Sequence, residues 1–200
     1  MKSSLIILSI FVLGLVTGFL KLMPDFLVQQ DIPIYILYVL MFLVGISLGS
    51  DKLIWEQLKN IKFKILLIPL TTIAGTALGI SLYSIILKYP KGADLYAIGA
   101  GFGYYSFSSV FISKISGETM GVIALMANIS REILTLVLTP ILVKYFGKIA
   151  PITAGGATTS DTTLPVIMKF SGKEYVLGSV INGVILTLAV PFIISIIYSL

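Results

Sequence analysis

The chain has 200 residues, of which 57% are hydrophobic and 12% charged. An ordinary soluble domain carries about 25% charged residues, so this composition excludes one and points to a protein dissolved in lipid. The net charge is +5, and there is no Cys and no His. Disulfides, thiolate chemistry and most zinc sites are therefore ruled out, and no cofactor or metal site is expected. The usual switch near neutral pH is missing too, so any proton-coupled step falls to carboxylates. The basic residues sit between apolar runs, where membrane topology accounts for them; no nucleic-acid partner is expected.

Alternating strand patterns are absent, and a chain in lipid must satisfy its own backbone. The expected fold is an all-α polytopic membrane protein, one transmembrane transporter domain with about seven membrane segments. The first span covers residues 5–22 and is expected to be retained, since no small-x-small cleavage site follows it. A polar loop at 25–33 leads to a second span at 34–48. Residues 51–64 carry Lys52, Lys59, Lys62 and Lys64 with Trp55, which suits a surface helix or basic loop. The third span is 65–87. Gly14 and Gly18, Gly45 and Gly49, and Gly75 and Gly79 are spaced for close helix approach. Residues 1–91 thus read as a three-span scaffold, and 92–200 as the core that holds the site.

The core opens with 93–113, whose middle is Gly99-Ala-Gly-Phe-Gly103-Tyr-Tyr-Ser106-Phe-Ser-Ser109. So many glycines and serines do not suit a regular helix facing lipid. The segment is expected to be broken or re-entrant, lining a cavity where irregular backbone is tolerated. The alternative is a packed helix with serines bonded back to preceding carbonyls. A span at 121–146 follows, then a second broken segment at 149–168, then a last span at 175–198. The lysine distribution puts the N-terminus inside and the C-terminus outside the cytoplasmic membrane. If both broken segments are re-entrant, Lys114 moves out, Lys144 and Lys148 move in, and the bias strengthens. The two segments then enter from opposite faces, as in inverted-repeat transporters.

Two stretches carry the chemistry. Asn128, Arg131, Glu132, Thr135 and Thr139 fall on one helical stripe within an apolar span. Arg131 and Glu132 are adjacent and so badly placed to pair with each other. Ionisable groups at membrane depth are costly and usually line pathways, although a buried interhelical ion pair is the alternative. Asp161 lies among Thr158, Thr159, Ser160, Thr162 and Thr163, behind Gly155-Gly156 and before Pro165. Such a segment can unwind and offer carbonyls and hydroxyls to a ligand, or Asp161 caps the helix that follows. Ser106, Ser109 and the neighbouring tyrosines supply neutral contacts, and Asn182, near Ser179, faces the same cavity. No P-loop, GxSxG or HExxH is present, so no enzyme activity is expected.

These stretches resemble the LysO-type lysine exporter family: Gly101-Phe-Gly-Tyr-Tyr-Ser106 with Ser108-Ser109, then Asn128 and Arg131-Glu132, then Gly155-Gly-Ala-Thr158 with Asp161-Thr-Thr-Leu-Pro165, and last Asn182-Gly183 with Pro191. The resemblance implies export of L-lysine, and of its toxic analogue thialysine, across the cytoplasmic membrane, with an acid at Glu132 needed for transport. In this picture Arg131 binds the lysine carboxylate or steadies Glu132. Glu132 or Asp161 takes an ammonium group, and Glu132 carries the exchanged proton. Single-chain members of the family are longer by an N-terminal unit of about three spans. Its absence here implies a separate three-span partner chain or a homo-oligomer, with Asp51 as a loose counterpart of that unit's acid. A cation/proton antiporter and an assembly subunit of a split transporter are the rival readings.

Overall fold

In a computed structural model of the chain, the described residues are 13, 14, 16–20, 22, 32–50, 63–86, 90 and 92–200. Regular structure among them is helical throughout, and three helices are long and apolar enough to cross a membrane. Helices α1 (Ile32–Ser50) and α2 (Phe63–Ile86) stand where the spans at 34–48 and 65–87 are expected. Most of the expected first span at 5–22, most of the basic segment 51–64 and Asp51 lie outside the described residues.

From residue 92 onward the chain repeats one construction. Two short helices, α3 (Ala93–Gly99) and α4 (Tyr105–Ser116), form a hairpin that leads into the long α5 (Glu118–Phe146). Then α6 (Ala150–Gly155), a 3₁₀ turn (Gly156–Ser160) and α7 (Leu164–Ser171) form a second hairpin. A further 3₁₀ turn (Lys173–Tyr175) leads into the long α8 (Val176–Ser199). The first hairpin is closed at its foot, where Asp94 Oδ1 accepts hydrogen bonds from Ser116 Oγ and, at 2.9 Å, from the Tyr198 hydroxyl. The second is closed by an ion pair between Lys148 and Glu174 at 3.3 Å.

The two feet lie at opposite ends of α8, because Glu174 precedes its first turn and Tyr198 is in its last. A helix of 24 residues separates them by about 35 Å, comparable to the hydrocarbon thickness of a bilayer. The hairpins therefore enter from opposite ends and meet midway. There the Ala157 amide donates to the Phe102 carbonyl at 2.8 Å. Gly156 makes this approach possible: its φ is +65°, and a Cβ there would collide with the Phe102 carbonyl oxygen. Phe102 itself has φ 45°, unusual for a bulky side chain.

The apolar core follows the same plan. Ile98, Phe107, Ile112, Ala124, Leu186, Val190 and Ile194 are buried together around the first hairpin, while Ile68, Ile152 and Ile167 pack at the second. The outer face of α5 exposes Val122, Met126, Ile133 and Val137. Lipid tails solvate such residues as well as a protein core does, so apolar burial drives association weakly, and close packing and buried hydrogen bonds carry more of the specificity.

Two asparagines supply those bonds. Asn128, 3% exposed, stands on α5 beside the first tip. Its Nδ2 reaches the Ile98 and Ala124 carbonyls at 3.0 and 2.9 Å, and its Oδ1 accepts from the Gly103 amide at 2.8 Å. Asn182, fully buried on α8, does the same at the second tip. Its Nδ2 reaches the Ile152 and Gly156 carbonyls and Thr159 Oγ1 at 3.0–3.2 Å, and its Oδ1 accepts from Thr72 Oγ1 of α2 at 3.3 Å. A backbone broken at the tips loses helical hydrogen bonds, and each amide side chain supplies bonds to backbone groups beside the break. Substituting Asn182→Leu keeps the volume but removes all four of these bonds at once, at about 0.5–1.5 kcal/mol per bond. Thermal unfolding in detergent should therefore shift down clearly for Asn182→Leu and Asn128→Leu and stay put for Ser106→Ala. An unshifted Asn182→Leu melt would show that the clamp is not what holds the tip.

Candidate functional site

A cavity of about 270 Å³ lies where the hairpin tips meet. The first tip contributes Gly103, Tyr104, Tyr105 and Ser106, and the second contributes Ala157, Thr158, Ser160, Asp161 and Thr162. Its remaining walls are Glu132 from α5 and Val184 and Thr187 from α8. Glu132 lies near the middle of its 29-residue helix, so the cavity sits midway along the bundle. Among the described residues its lining includes two carboxylates and no cationic side chain.

The carboxylates differ in setting. Glu132 is half-buried and has no hydrogen-bond or ion-pair partner among the described residues. Asp161 is exposed, and its Oδ1 accepts from the Thr162 amide at 2.6 Å. It does not cap α7, since Thr163 holds the N-cap position and Pro165 the first turn. The capping alternative therefore fails by two residues: Asp161 closes the 3₁₀ turn before it. Tyr105, at the start of α4, lies within electrostatic reach of both acids. The α4 backbone begins at the cavity as well. Its first helical bond runs from the Ser108 amide to the Tyr104 carbonyl, which leaves the amides of Tyr105, Ser106 and Phe107 without an acceptor among the described residues.

Arg131 points the other way. Its Nε donates to the Ala154 carbonyl at 2.8 Å, Nη2 to the Thr153 carbonyl at 3.1 Å and Nη1 to Thr76 Oγ1 at 3.2 Å. Its guanidinium also sits 5.8 Å from the Phe102 ring centroid. These partners are the carboxyl end of α6, a favoured position for a cation, together with α2 and the first tip. No hydrogen bond or ion pair joins Arg131 to Glu132. The polar stripe of α5 thus divides: Glu132 faces the cavity, Asn128 and Arg131 face backbone, and the hydroxyls of Thr135 and Thr139 bond back to preceding carbonyls.

Of the residues singled out in sequence, the cavity gathers Glu132, Asp161, Ser106, Thr158 and Thr162. Asn128, Arg131 and Asn182 stand behind it and hold its walls. Ser109 lies elsewhere, on the seam where Gly121 of α5 packs against its carbonyl. The break at 100–104 and the serine back-bond coexist, since Ser108 Oγ donates to the Tyr104 carbonyl at 3.0 Å. Thr187, a polar residue of the last span, and Val184 join the lining without having been expected at the site. Gly183, which meets Ser160 so closely that a Cβ would lie 2.5 Å from its amide nitrogen, marks the same stretch of α8, and Thr187 is one turn further on.

The family model described as "Lysine exporter LysO" matches residues 8–198. The chain is similar to "Lysine exporter LysO" of Escherichia coli strain K12, at 30% identity over 161 residues, covering 80% of this chain and 53% of that protein. It is also similar to a "Putative lysine exporter" of Haemophilus influenzae, at 31% identity over 188 residues, covering 94% of each. The chain thus spans about half the length of the first relative and nearly all of the second. No solved structure matches it. With its family model matched from end to end of the described core, the chain belongs to the lysine exporter LysO family.

Proposed function

We propose that the chain is a secondary transporter that exports L-lysine across the cytoplasmic membrane, with the cavity between the hairpin tips as its binding site. The observation that carries this reading is the meeting of Glu132 and Asp161 in one cavity whose described lining holds no cation. Lysine brings two ammonium groups and one carboxylate. The acids take the ammonium groups, and the unbonded amides at the start of α4 receive the carboxylate, as helix N-termini do. Arg131 is a positioning residue in this scheme, because its donors already serve Thr153, Ala154 and Thr76.

Glu132, half-buried and without a partner among the described residues, is the group that exchanges a proton for substrate. Exporting a cation against an inside-negative potential costs about 2.3 kcal/mol per charge per 100 mV, and inward proton movement offsets that. The opposed hairpins support a reading of residues 93–113 and 149–168 as re-entrant segments of an inverted repeat, in a chain of about seven membrane segments. In this orientation the end bearing Lys148 and Glu174 is cytoplasmic and the end bearing Asp94 and Tyr198 is external, in line with the lysine bias. A second protein face is expected over the cavity, from another copy or a three-span partner, because Asp161, Thr162 and Ser106 are exposed midway along the bundle and polar groups do not face lipid there.

Glu132→Gln should abolish lysine efflux from loaded proteoliposomes, with thialysine resistance falling to that of a strain lacking the protein. Its melting midpoint should be unchanged, since the carboxylate holds nothing else in place. Efflux at the parental rate with equal protein in the membrane would refute the assignment, and lysine-independent Na⁺ or H⁺ flux would favour a cation/proton antiporter. Arg131→Lys should behave in the opposite way. An ammonium cannot reproduce a planar fork that reaches two carbonyls and a hydroxyl, so stability drops by about 2 kcal/mol, while whatever protein folds keeps its affinity for lysine. A large rise in the lysine concentration for half-maximal efflux, with an unchanged melt, would instead return Arg131 to the substrate.

A further inference from the structure

The two halves of the core correspond residue by residue at their hairpin feet, and in the kind and order of residues along their long helices. Gly92 and Gly117 bracket the first hairpin and Gly147 and Gly172 the second, equally far apart in sequence and all at positive φ. Each hairpin leads into a long helix with one clamping asparagine, Asn128 or Asn182, and one internal proline, Pro140 or Pro191. Ser116 and Ser171 immediately precede the closing glycines. Tyr145 and Tyr198 stand near the ends of the two long helices, in registers that differ by two residues counted from those glycines.

The halves differ in how these groups are used. At the first foot, Ser116 Oγ donates to Asp94 and lies 3.2 Å from the Tyr198 hydroxyl, which itself donates to Asp94. The end of the second half's long helix is thereby tied to the first half's hairpin. The matching tie is absent at the other end. Ser171 is 1% exposed, and its Oγ has no hydrogen-bond partner among the described residues, while Tyr145 is 68% exposed. A buried hydroxyl without a partner is costly. Its twin Ser116 is satisfied both by Asp94 of its own hairpin and by Tyr198 of the opposite long helix. Ile149 stands at the position matching Asp94, so at the second foot only the tyrosine contact has a counterpart, Tyr145 of the opposite long helix. The ion pair of Lys148 and Glu174 closes the second hairpin on itself and does not reach α5.

We infer that these are the two halves of an alternating latch, each closing one end of the cavity. In the conformation described here Tyr198 closes on Ser116 and Asp94. In the opposite conformation that contact opens, and Tyr145 closes on Ser171. The inference rests on the transporter reading, since exchange of conformation between inverted halves is what alternating access requires.

The chain has no cysteine, so introduced pairs can be followed one at a time with a short bis-methanethiosulfonate in proteoliposomes. Ser116→Cys with Tyr198→Cys should cross-link in the resting protein and also reports that the fold is intact. Ser171→Cys with Tyr145→Cys should cross-link in a minor fraction. Adding Asp94→Asn or Tyr198→Phe to the second pair should raise that fraction about tenfold, the effect of losing one hydrogen bond to a charged group. If the second pair never cross-links where the first does, or if neither added substitution changes its yield, the latch is wrong. Lysine counterflow measured in the same vesicles separates the two readings. A responsive second pair without counterflow upholds the latch and removes lysine as cargo, and counterflow with an unresponsive pair does the reverse.

Discussion

The structure depends on two interrupted helices meeting in the middle of a membrane-length bundle. A broken helix leaves amides and carbonyls that lipid cannot satisfy, and each such group costs several kcal/mol in hydrocarbon. The Phe102 carbonyl accepting the Ala157 amide solves part of this by making each tip a partner of the other. Asn128, Asn182 and Arg131 add further bonds, each donating to carbonyls beside an interruption. The cavity exists because these residues hold the tips apart from a regular helical path. The unusual φ of Phe102, of a kind that costs about 1–3 kcal/mol, belongs to the same arrangement. Its carbonyl, its ring and the next amide are each held by a separate neighbour.

Much of this architecture was legible in the sequence. Glycine and serine at 99–109, and glycine with hydroxyls at 154–163, announce interrupted helices because no lipid-facing helix uses them so densely. The charges within the span at 121–146 announce buried polar function. The roles within that stripe were not legible. An asparagine or arginine on a polar face has the same spacing whether it meets a ligand or a carbonyl from another segment, and only the tertiary position of Ile98, Thr153 and Ala154 decides between them. Helical spacing correctly disfavoured a pairing of Arg131 with Glu132, but it could not say which of the two faces the cavity.

The duplicated construction was also hidden. Its markers are single glycines at hairpin feet and single asparagines on long helices, too sparse in a chain with 18 glycines to stand out by themselves. Once the feet are seen at opposite ends of α8, the glycines fall into register and the asparagines come within one residue of it. The matching shows where the halves diverge, namely the acid at Asp94 and the unpartnered hydroxyl of Ser171. On the proposed reading, lysine is a cargo that suits a cavity walled by two acids.

The placement of Arg131 has an electrical consequence. Its charge is fixed just behind a cavity whose lining includes Glu132 and Asp161, so with both acids ionised these three groups sum to one negative charge. On the proposed reading, one lysine cation brings that sum to zero, and one proton on Glu132 does the same. The part of the protein that moves would then be neutral on both legs of the cycle, and membrane voltage would have little purchase on either. Direction would be set by the concentration gradients of lysine and protons, and a guanidinium that never touches the cargo would be the reason.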